Sequence, residues 1–212
     1  MYFKYLPAER LDVLQNLKIR FSPLSELNDP YEVYGVKEGN IVDMGFSNKY
    51  DGCLVLSLSR SRNNLLMWSH YADAGAGFVL ELDLNDKNCT HIDSVEEKFK
   101  IYDVEYRDEL RDINEVEAPD LFLTKPKCWE YEEESRIIAM SDSLYLSPPK
   151  DHSSSPLFLY DLPRDSIKTI YIGPTATELT QYYIRHYVEH HNLRCKVIKM
   201  VMDTNRFGFF EK

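Results

Sequence analysis

One short stretch of the sequence concentrates the side chains that could do chemistry. From Trp129 to Arg136 it contains two aromatic residues, four glutamates and one arginine. In an extended chain, alternation would put Trp129 and Tyr131 on one face and Glu132, Glu134 and Arg136 on the other. That second face is either a solvated ladder of ion pairs, which adds little stability, or the wall of a site. In a site, Arg136 would hold one carboxylate in place and leave another free for chemistry.

Two further groups of polar residues lie beside predicted strands. They comprise Arg20 with the turn-rich loop at Asn28 and Asp29, and Ser57 and Ser59 with the helix residues His70 and Tyr71. Strands disfavour charged residues, and such local rules tend to be broken at functional sites. A lone histidine on a short helix is more often structural, so His70 alone does not indicate catalysis.

The elements that must position these residues follow from hydrophobic patterning. Alternation and short apolar runs predict strands at 1–4, 17–22, 52–59, 78–84, 99–106, 136–140, 167–172 and 195–202. Helices are predicted from Pro7 onward, from Leu65 to about Ala72 with Asn63 or Asn64 as the cap, and from Thr177 to His190. Three other segments are predicted as a short helix or irregular excursion at 32–50, a helical or mobile acidic segment at 108–123, and a flexible loop at 141–157.

These elements together predict an α+β fold. We expect a single domain over residues 1–212, with a mixed, twisted β-sheet of roughly six to eight strands and peripheral helices. The continuous apolar run at 52–59 predicts a strand that is buried on both faces. The strand–helix–strand order from 167 to 202 predicts a C-terminal βαβ unit with parallel pairing.

The composition limits the classes of function. The chain has 212 residues, a formal net charge of −10 and a pI near 5.1, which argues against nucleic-acid binding as the role of its main surface. The four cysteines form no C-x-x-C pair and have no zinc-type spacing, as expected in a reducing cytoplasm. No apolar run indicates a signal peptide or a membrane span. We therefore expect a soluble cytoplasmic protein without a membrane partner.

Signature motifs of several common enzyme classes are absent from the sequence. It contains no G-x-S-x-G elbow of a serine hydrolase and no glycine-rich phosphate loop in the required strand–loop–helix order. A metal site would have to combine His70 with Glu81 or Asp83 and with Glu132, and no spacing favours that set. We therefore expect no bound metal.

Several motifs taken together resemble a known family. They are Arg20-Phe21-Ser22, Leu27-Asn28-Asp29-Pro30, the helix motif from Asn64 to Ala72 with Trp68-Ser69-His70-Tyr71, Gly77-Phe78, and W-x-Y-E-x-E-x-R from Trp129 to Arg136. With them the chain resembles the bacterial domain-of-unknown-function family twenty-nine seventy-one over most of its length. It departs from the family pattern at Gly75 and Ala76, where members often have a His and a Lys, and at Ser135, where they often have an aromatic residue.

The order of these motifs is also similar to the arginine–serine–glutamate arrangement of ADP-ribosyltransferases. Loss of nicotinamide from NAD forms an oxocarbenium-like cation. By this similarity, the carboxylates of Glu134 and Glu132 would stabilise that cation. It implies NAD as the cofactor, a protein or nucleic-acid acceptor that the sequence does not specify, and an arginine on the pyrophosphate. The NAD contacts would be Arg20, Ser57, Ser59, Tyr71 and Arg136, and the substrate contacts Asn28, Asp29, His70, Trp129 and Tyr131.

Two other classes of function remain open. A non-enzymatic nucleotide- or partner-binding module in stress or phage defence would use Trp129, Tyr131 and Arg136 as ligand contacts. A metal-dependent nuclease would gather Glu81 and Asp83 with the two glutamates around a divalent ion. The acidic composition disfavours the nuclease.

Overall fold

The structure, a computed structural model, describes residues 1–43, 52–84, 100–114, 120–140, 145–147 and 157–211. Its α-helices are α1 (Asp12–Asn16), α2 (Leu65–Tyr71) and α3 (Glu178–His190). Its strands are β1 (Tyr2–Leu6), β2 (Lys18–Pro23), β3 (Tyr34–Lys37), β4 (Asn40–Asp43), β5 (Cys53–Ser59), β6 (Phe78–Leu82), β7 (Ile101–Asp103), β8 (Glu105–Arg107), β9 (Thr124–Pro126), β10 (Glu134–Met140), β11 (Tyr145–Ser147), β12 (Leu157–Asp161), β13 (Ile167–Ile172), β14 (Lys196–Met202) and β15 (Phe209–Glu211). Short 3-10 helices span Ala8–Leu11, Leu24–Glu26, Asp73–Gly75, Asp120–Leu123, Lys127–Glu132 and Arg164–Ser166.

The predicted α+β fold is confirmed, with one large mixed sheet. Within the described ranges, eleven strands join this sheet, and its main path runs β11-β12-β2-β5-β1-β6-β13-β14-β15. Strands β10 and β7 branch from β5, while β3–β4 and β8–β9 form separate pairs. The predicted number of strands, six to eight, was therefore too low. The additional strands are mostly only three or four residues long, and so short a segment carries little alternation signal.

The predicted C-terminal βαβ unit is also confirmed. Strands β13 and β14 pair in parallel, with Thr169 opposite Lys196 and Ile172 opposite Lys199. Helix α3 connects them, and the Thr177 side chain caps it by accepting a hydrogen bond from the Thr180 amide. The short strand β15, which the sequence did not predict, then adds antiparallel to β14.

Strand β5 is where the sheet forks. Along one edge, all seven of its residues pair with β10, from Cys53 opposite Met140 to Ser59 opposite Glu134. The other edge is divided, because β2 pairs only at Leu54 and Val55 and β1 pairs only at Ser59. Between these two partners a short piece of the β5 edge has no neighbouring strand among the described residues, so β1 and β2 diverge there.

The two faces of the forked sheet carry different cores. Leu54, Leu56 and Leu58 of β5 belong to the larger cluster, which includes α1 and α3 residues such as Val13 and Ile184. A second cluster joins β1 to α2 through Phe3, Tyr5 and Trp68. Because side chains alternate along a strand, Ser57 and Ser59 lie on the face opposite the leucines. The predicted burial of β5 on both faces is confirmed, since six of its seven residues are buried.

The stretch from Trp129 to Glu133 is not extended, and that prediction was wrong. Residues Lys127–Glu132 form a 3-10 helix, and Glu133 then adopts a left-handed conformation with φ of 44° before β10 begins. The polar run has no apolar alternation to hold it in the sheet. Only Glu134 and Arg136 therefore share a strand face as predicted, and Glu132 reaches the same region from the helix.

Three weaker segment predictions also change. Residues 32–43 contain the β3–β4 hairpin rather than a short helix or an irregular excursion, and residues 44–50 of that prediction lie outside the described residues. The predicted strand at 99–106 is divided between β7 and β8. The described part of 108–123 has only the short 3-10 helix Asp120–Leu123, since five of the seven residues at 108–114 are charged or polar and do not sustain a helix. Residues 115–119 lie outside the described residues. The predicted loop at 141–157 contains β11 and the first residue of β12, and its other residues, 141–144 and 148–156, lie outside the described residues.

None of the helices in the described ranges is both long enough and apolar enough to cross a membrane.

Asn64 links helix α2 to the motif at 127–132. Its side-chain oxygen accepts hydrogen bonds from the amides of Leu66 and Met67, and its Nδ2 donates to the Tyr131 carbonyl at 2.9 Å. We expect Asn64→Ala to lower the free energy of unfolding by about 1–2 kcal/mol through loss of the cap. Urea unfolding, followed by the fluorescence of Trp68, which is 1% exposed, measures this change.

The matched control is Asn64→Asp, which keeps the capping oxygen but loses the Nδ2 donor. It should cost less stability than Asn64→Ala. Equal losses in the two variants would contradict the assignment of Asn64 as the cap of α2.

Candidate functional site

A fully buried arginine lies at the centre of the site. Arg136, on β10, is 0% exposed. Its guanidinium donates to Glu134 from Nε at 2.8 Å and Nη2 at 3.0 Å, and to Glu32 from Nη1 at 2.7 Å and Nη2 at 2.5 Å. Nη1 also donates to the Phe122 carbonyl at 2.7 Å. All five N–H donors of an arginine are therefore used, and Arg136 has none left for a ligand.

A buried lysine connects the same carboxylates to a third one. The Lys125 ammonium lies 2.6 Å from Glu132 Oε2, 3.2 Å from Glu134 Oε2 and 3.5 Å from Glu32 Oε1. We call Glu32, Lys125, Glu132, Glu134 and Arg136 the charged cluster. Three carboxylates against two cations leave it with a formal charge of −1. Buried ions are tolerated when they are paired and hydrogen-bonded in this way.

The cluster fixes the ionisation of Glu134. Burial alone would raise the pKa of this carboxyl group, but Arg136 and Lys125, together with a hydrogen bond from the Ser57 side chain, lower it to about 2. Burial opposes the charge of Arg136 as well, but Glu134 and Glu32 outweigh it and raise the pKa of the guanidinium. Glu134 is therefore an anion at any physiological pH, and it is held rigidly in place.

A cavity of about 190 Å³ opens beside the cluster, where β1 and β2 diverge from β5. Its walls come from these three strands, from α2 and from the segment before β3, and both Glu132 and Glu134 face it. The cavity thus combines an apolar side, formed by residues such as Phe3 and Met67, with an ionised wall.

Lys4 of β1 also lines this cavity. Its Nζ donates to the Ser57 carbonyl at 2.8 Å, in the part of the β5 edge that no described strand covers. Among the described residues, no carboxylate oxygen forms an ion pair with it. Burial lowers the pKa of Lys4, and although Glu134 and Glu132 raise it again, the pKa remains at about 8. Lys4 therefore loses its proton far more readily than an exposed lysine does.

Tyr71 of α2 connects the cluster to the loop before β3. Its hydroxyl donates to Glu132 Oε1 at 2.5 Å and accepts from Asn28 Nδ2 at 3.2 Å. Burial raises the pKa of Tyr71, and the hydrogen bond to Glu132 adds to that effect. Tyr71 thus stays protonated, and both Tyr71 and Asn28 line the cavity.

The predicted site residues of the strands differ in how they meet the cavity. Ser57 and Ser59 both line it, but the Ser59 hydroxyl is engaged by donating to the Glu132 carbonyl at 2.7 Å. Arg20 does not line the cavity; it forms an ion pair with Glu26, which does. The Nε of Arg20 is buried and lacks a hydrogen-bond partner among the described residues.

Four other predicted residues lie outside the cavity walls. His70 is exposed, and its ring centroid lies 6.1 Å from that of Tyr131, which in turn lies 6.0 Å from Trp129. Trp129 also has the Lys125 ammonium 5.0 Å from its ring centroid. Asp29 is buried, and its Oδ1 accepts from the Tyr31 amide at 3.0 Å, which shapes the turn.

Three residues of the site were missed by the sequence analysis: Lys4, Glu32 and Lys125. Glu32 lies 104 residues from Arg136 in the chain, so no local spacing marks it. Lys125 lies only seven residues before Glu132, but a lone lysine at that spacing in a polar stretch does not indicate a buried ion pair. The only signal for Lys4 was a charge within the otherwise apolar strand Tyr-Phe-Lys-Tyr-Leu, which strand propensity disfavours.

The acidic residues considered for a metal site are not gathered. Glu81 accepts a hydrogen bond from the Tyr171 hydroxyl at 3.0 Å, and Asp83 lies 3.6 Å from the Lys168 ammonium. Neither lines the cavity that Glu132 and Glu134 face. In the part of the chain that the structure describes, no three His, Cys, Asp or Glu side chains are placed to hold a metal ion.

A second cavity, of about 540 Å³, lies beside the β3–β4 hairpin. It is lined by Tyr31 and Tyr34, by the 107–111 segment and by Lys125, which also lines the first cavity. It is the larger of the two cavities, but Glu132, Glu134 and Arg136 do not line it. We therefore place the candidate site in the smaller cavity.

Fold and site together define an α+β protein whose forked sheet holds a buried charged cluster against a small cavity. Residues 67–137 match the family model described as a protein of unknown function, DUF2971, and the predicted family resemblance is thereby confirmed over this stretch. The matched segment includes Tyr71 and four members of the charged cluster, but not Lys4 or Glu32. No curated protein and no solved structure was found to be similar to the chain.

The low pKa of Glu134 implies a pH-dependent contribution to stability. Its folded pKa of about 2 lies below the usual value of 4.5, so the stabilisation is complete above pH 4.5 and is lost as the pH falls towards 2. We expect the stability advantage of the wild type over Glu134→Gln to shrink by about 2–3 kcal/mol between pH 6 and pH 2.5. Urea unfolding of both proteins at several pH values measures it. An advantage that does not change with pH would contradict the ionised, paired state of Glu134.

Proposed function

We propose that the cavity binds the nicotinamide–ribose end of NAD and that the protein cleaves the N-glycosidic bond, transferring ADP-ribose to an acceptor. The observation that carries the proposal is the fixed, ionised carboxylate of Glu134 at the cavity wall. A preorganised anion of this kind stabilises an oxocarbenium-like transition state without having to reorganise during the reaction.

The negative charge of the charged cluster supports a reaction that develops positive charge beside Glu134. The charged cluster has a formal charge of −1, since its three carboxylates face only the two cations of Lys125 and Arg136. Water is largely displaced from this region, because Glu132 and Glu134 are each only 4% exposed. Electrostatic attraction between the cluster and a transient cation is stronger there than in bulk water.

Hydrogen-bonding groups of the cavity suit a ribose. Ser57, Asn28 and Tyr71 all line it, and their hydroxyl and amide groups can exchange hydrogen bonds with the hydroxyls of a sugar. The ring of Tyr71 supplies a surface on which nicotinamide can stack. In this proposal Glu134 and Glu132 are the catalytic carboxylates, and Glu132 accepts a hydrogen bond from a ribose hydroxyl.

The size of the cavity limits how much of NAD it can hold. Its volume of about 190 Å³ lies below the range of roughly 300–1,000 Å³ that is typical of sites for drug-sized ligands. Only the nicotinamide–ribose end would therefore enter, and the pyrophosphate would lie near the mouth. Arg20, whose ion-pair partner Glu26 lines the cavity, is the cation we assign to the pyrophosphate.

A second candidate is a nucleotide-binding module without turnover. It is favoured by the larger cavity of about 540 Å³, which is lined by Tyr31, Tyr34, Arg107 and Arg111. Tyrosine rings and guanidinium groups suit a base and a phosphate. Such a module would act in stress or phage defence through a protein partner.

Calorimetric titration with NAD, followed by mass spectrometry for released nicotinamide, tests the proposed function. The wild type should bind NAD and release nicotinamide, and Glu134→Gln should lose at least about 100-fold in rate, since it removes the stabilising charge. The matched control is Glu133→Gln, which removes the same charge from the exposed neighbouring residue and should keep full activity.

A further variant separates loss of chemistry from loss of folding. Tyr71→Phe keeps the ring and every ion pair of the cluster but removes the hydrogen bond to Glu132. This variant should therefore fold normally and release nicotinamide more slowly than the wild type. NAD binding without nicotinamide release in the wild type would favour the binding module. No binding at millimolar NAD would refute the transferase proposal.

A further inference from the structure

The amino group of Lys4 lies in an unusual position for a lysine. It occupies the fork of the sheet, where its Nζ donates to the Ser57 carbonyl at 2.8 Å, and it borders the cavity of about 190 Å³. A lysine ammonium has three N–H donors. Among the described residues, one of them has an acceptor, the Ser57 carbonyl. The amino group is therefore positioned by the backbone of β5 but not neutralised by a carboxylate in contact.

We propose that Lys4 is a nucleophilic amine that forms an imine with small hydroxylated carbonyl compounds, such as the open-chain end of a sugar. The neutral amine adds to the carbonyl carbon to give a carbinolamine, which loses water to give the imine. The carbonyl oxygen and two amine hydrogens leave as that water, so no oxidant or reductant is needed. The assignment does not depend on NAD, because the carbonyl compound itself is the reactant.

The surroundings of Lys4 increase the fraction of the neutral amine. Burial lowers the pKa of Lys4 to about 8, and desolvated lysines of this kind act as bases and Schiff-base nucleophiles. The charged groups that act on it come from several elements: Glu134 and Glu132 favour the ammonium form, whereas Arg10 and Arg20 oppose it. At pH 7 about one molecule in ten would carry the neutral amine, against fewer than about one in a thousand for an unperturbed lysine.

The cavity also suits the product. A protonated imine keeps a positive charge at the position of the ammonium, close to a cluster with a formal charge of −1, so the adduct needs no new counter-ion. Asn28, Ser57 and Tyr71 face the same space and can bond the hydroxyl next to the carbonyl carbon. These contacts are the reason for assigning a hydroxylated carbonyl compound rather than a simple aldehyde.

Reductive trapping tests the proposal on the full chain. The protein is incubated at pH 7 with glycolaldehyde and cyanoborohydride, which converts the imine to a stable secondary amine, and the labelled lysines are mapped by tandem mass spectrometry. The spectra must separate Lys4 from an amino group at Met1. We expect Lys4 to be labelled at least about tenfold faster than exposed Lys37 in the same sample, because of its larger neutral fraction. Labelling of Lys4 at or below the rate of Lys37 would overturn the proposal.

Two comparisons sharpen the result. Lys4→Arg keeps a cation opposite the Ser57 carbonyl and should lose this label while the label at Lys37 is unchanged. The ratio of Lys4 to Lys37 labelling should also be several-fold higher with glycolaldehyde than with acetaldehyde, which lacks the hydroxyl. Equal ratios would overturn the assignment to hydroxylated compounds. Since no NAD is present, the outcome is independent of the proposed NAD cleavage.

Discussion

Arg136 has no contact with solvent, and its charge can remain in the protein interior only because two carboxylates and one carbonyl surround it. Removing an ion from water costs several kcal/mol unless it is paired and hydrogen-bonded, and here all five donors are satisfied. This requirement fixes the segment that carries Glu32 and the start of β10 relative to each other. Lys125 extends the same constraint to Glu132, and through it to Tyr71 and Asn28.

The cavity follows from how the sheet is paired at β5. A strand has only two edges, and β10 occupies one of them completely. Strands β1 and β2 must share the other, and they separate because each pairs with a different end. A backbone carbonyl left in such a gap needs a donor, and the Lys4 ammonium provides it. The fork thus accounts both for the space beside Glu134 and for the presence of a desolvated lysine there.

The sequence predicted the elements with strong local patterns. Strand β5, the cap of α2 and the βαβ unit each follow from periodicity or from a recognised terminal residue. It left open whether Glu134 and Arg136 belong to a solvated ladder of ion pairs or to the wall of a site, and in the structure both side chains are buried and paired with each other. The stretch before Glu134 is helical rather than extended, because its polar residues are fixed by Lys125 and Asn64 rather than by a strand partner. Lys4 and Glu32 could not be found from spacing, since only tertiary pairing brings them to the cavity.

The most direct test of this account is a double-mutant cycle between Glu32 and Arg136. Glu32→Gln, Arg136→Lys and the double variant are compared with the wild type by urea unfolding. The two side chains share a bidentate pair in a buried site, so we expect a coupling free energy of about 1–3 kcal/mol. Effects that add to within about 0.5 kcal/mol would contradict the claim that this buried pair holds the site together.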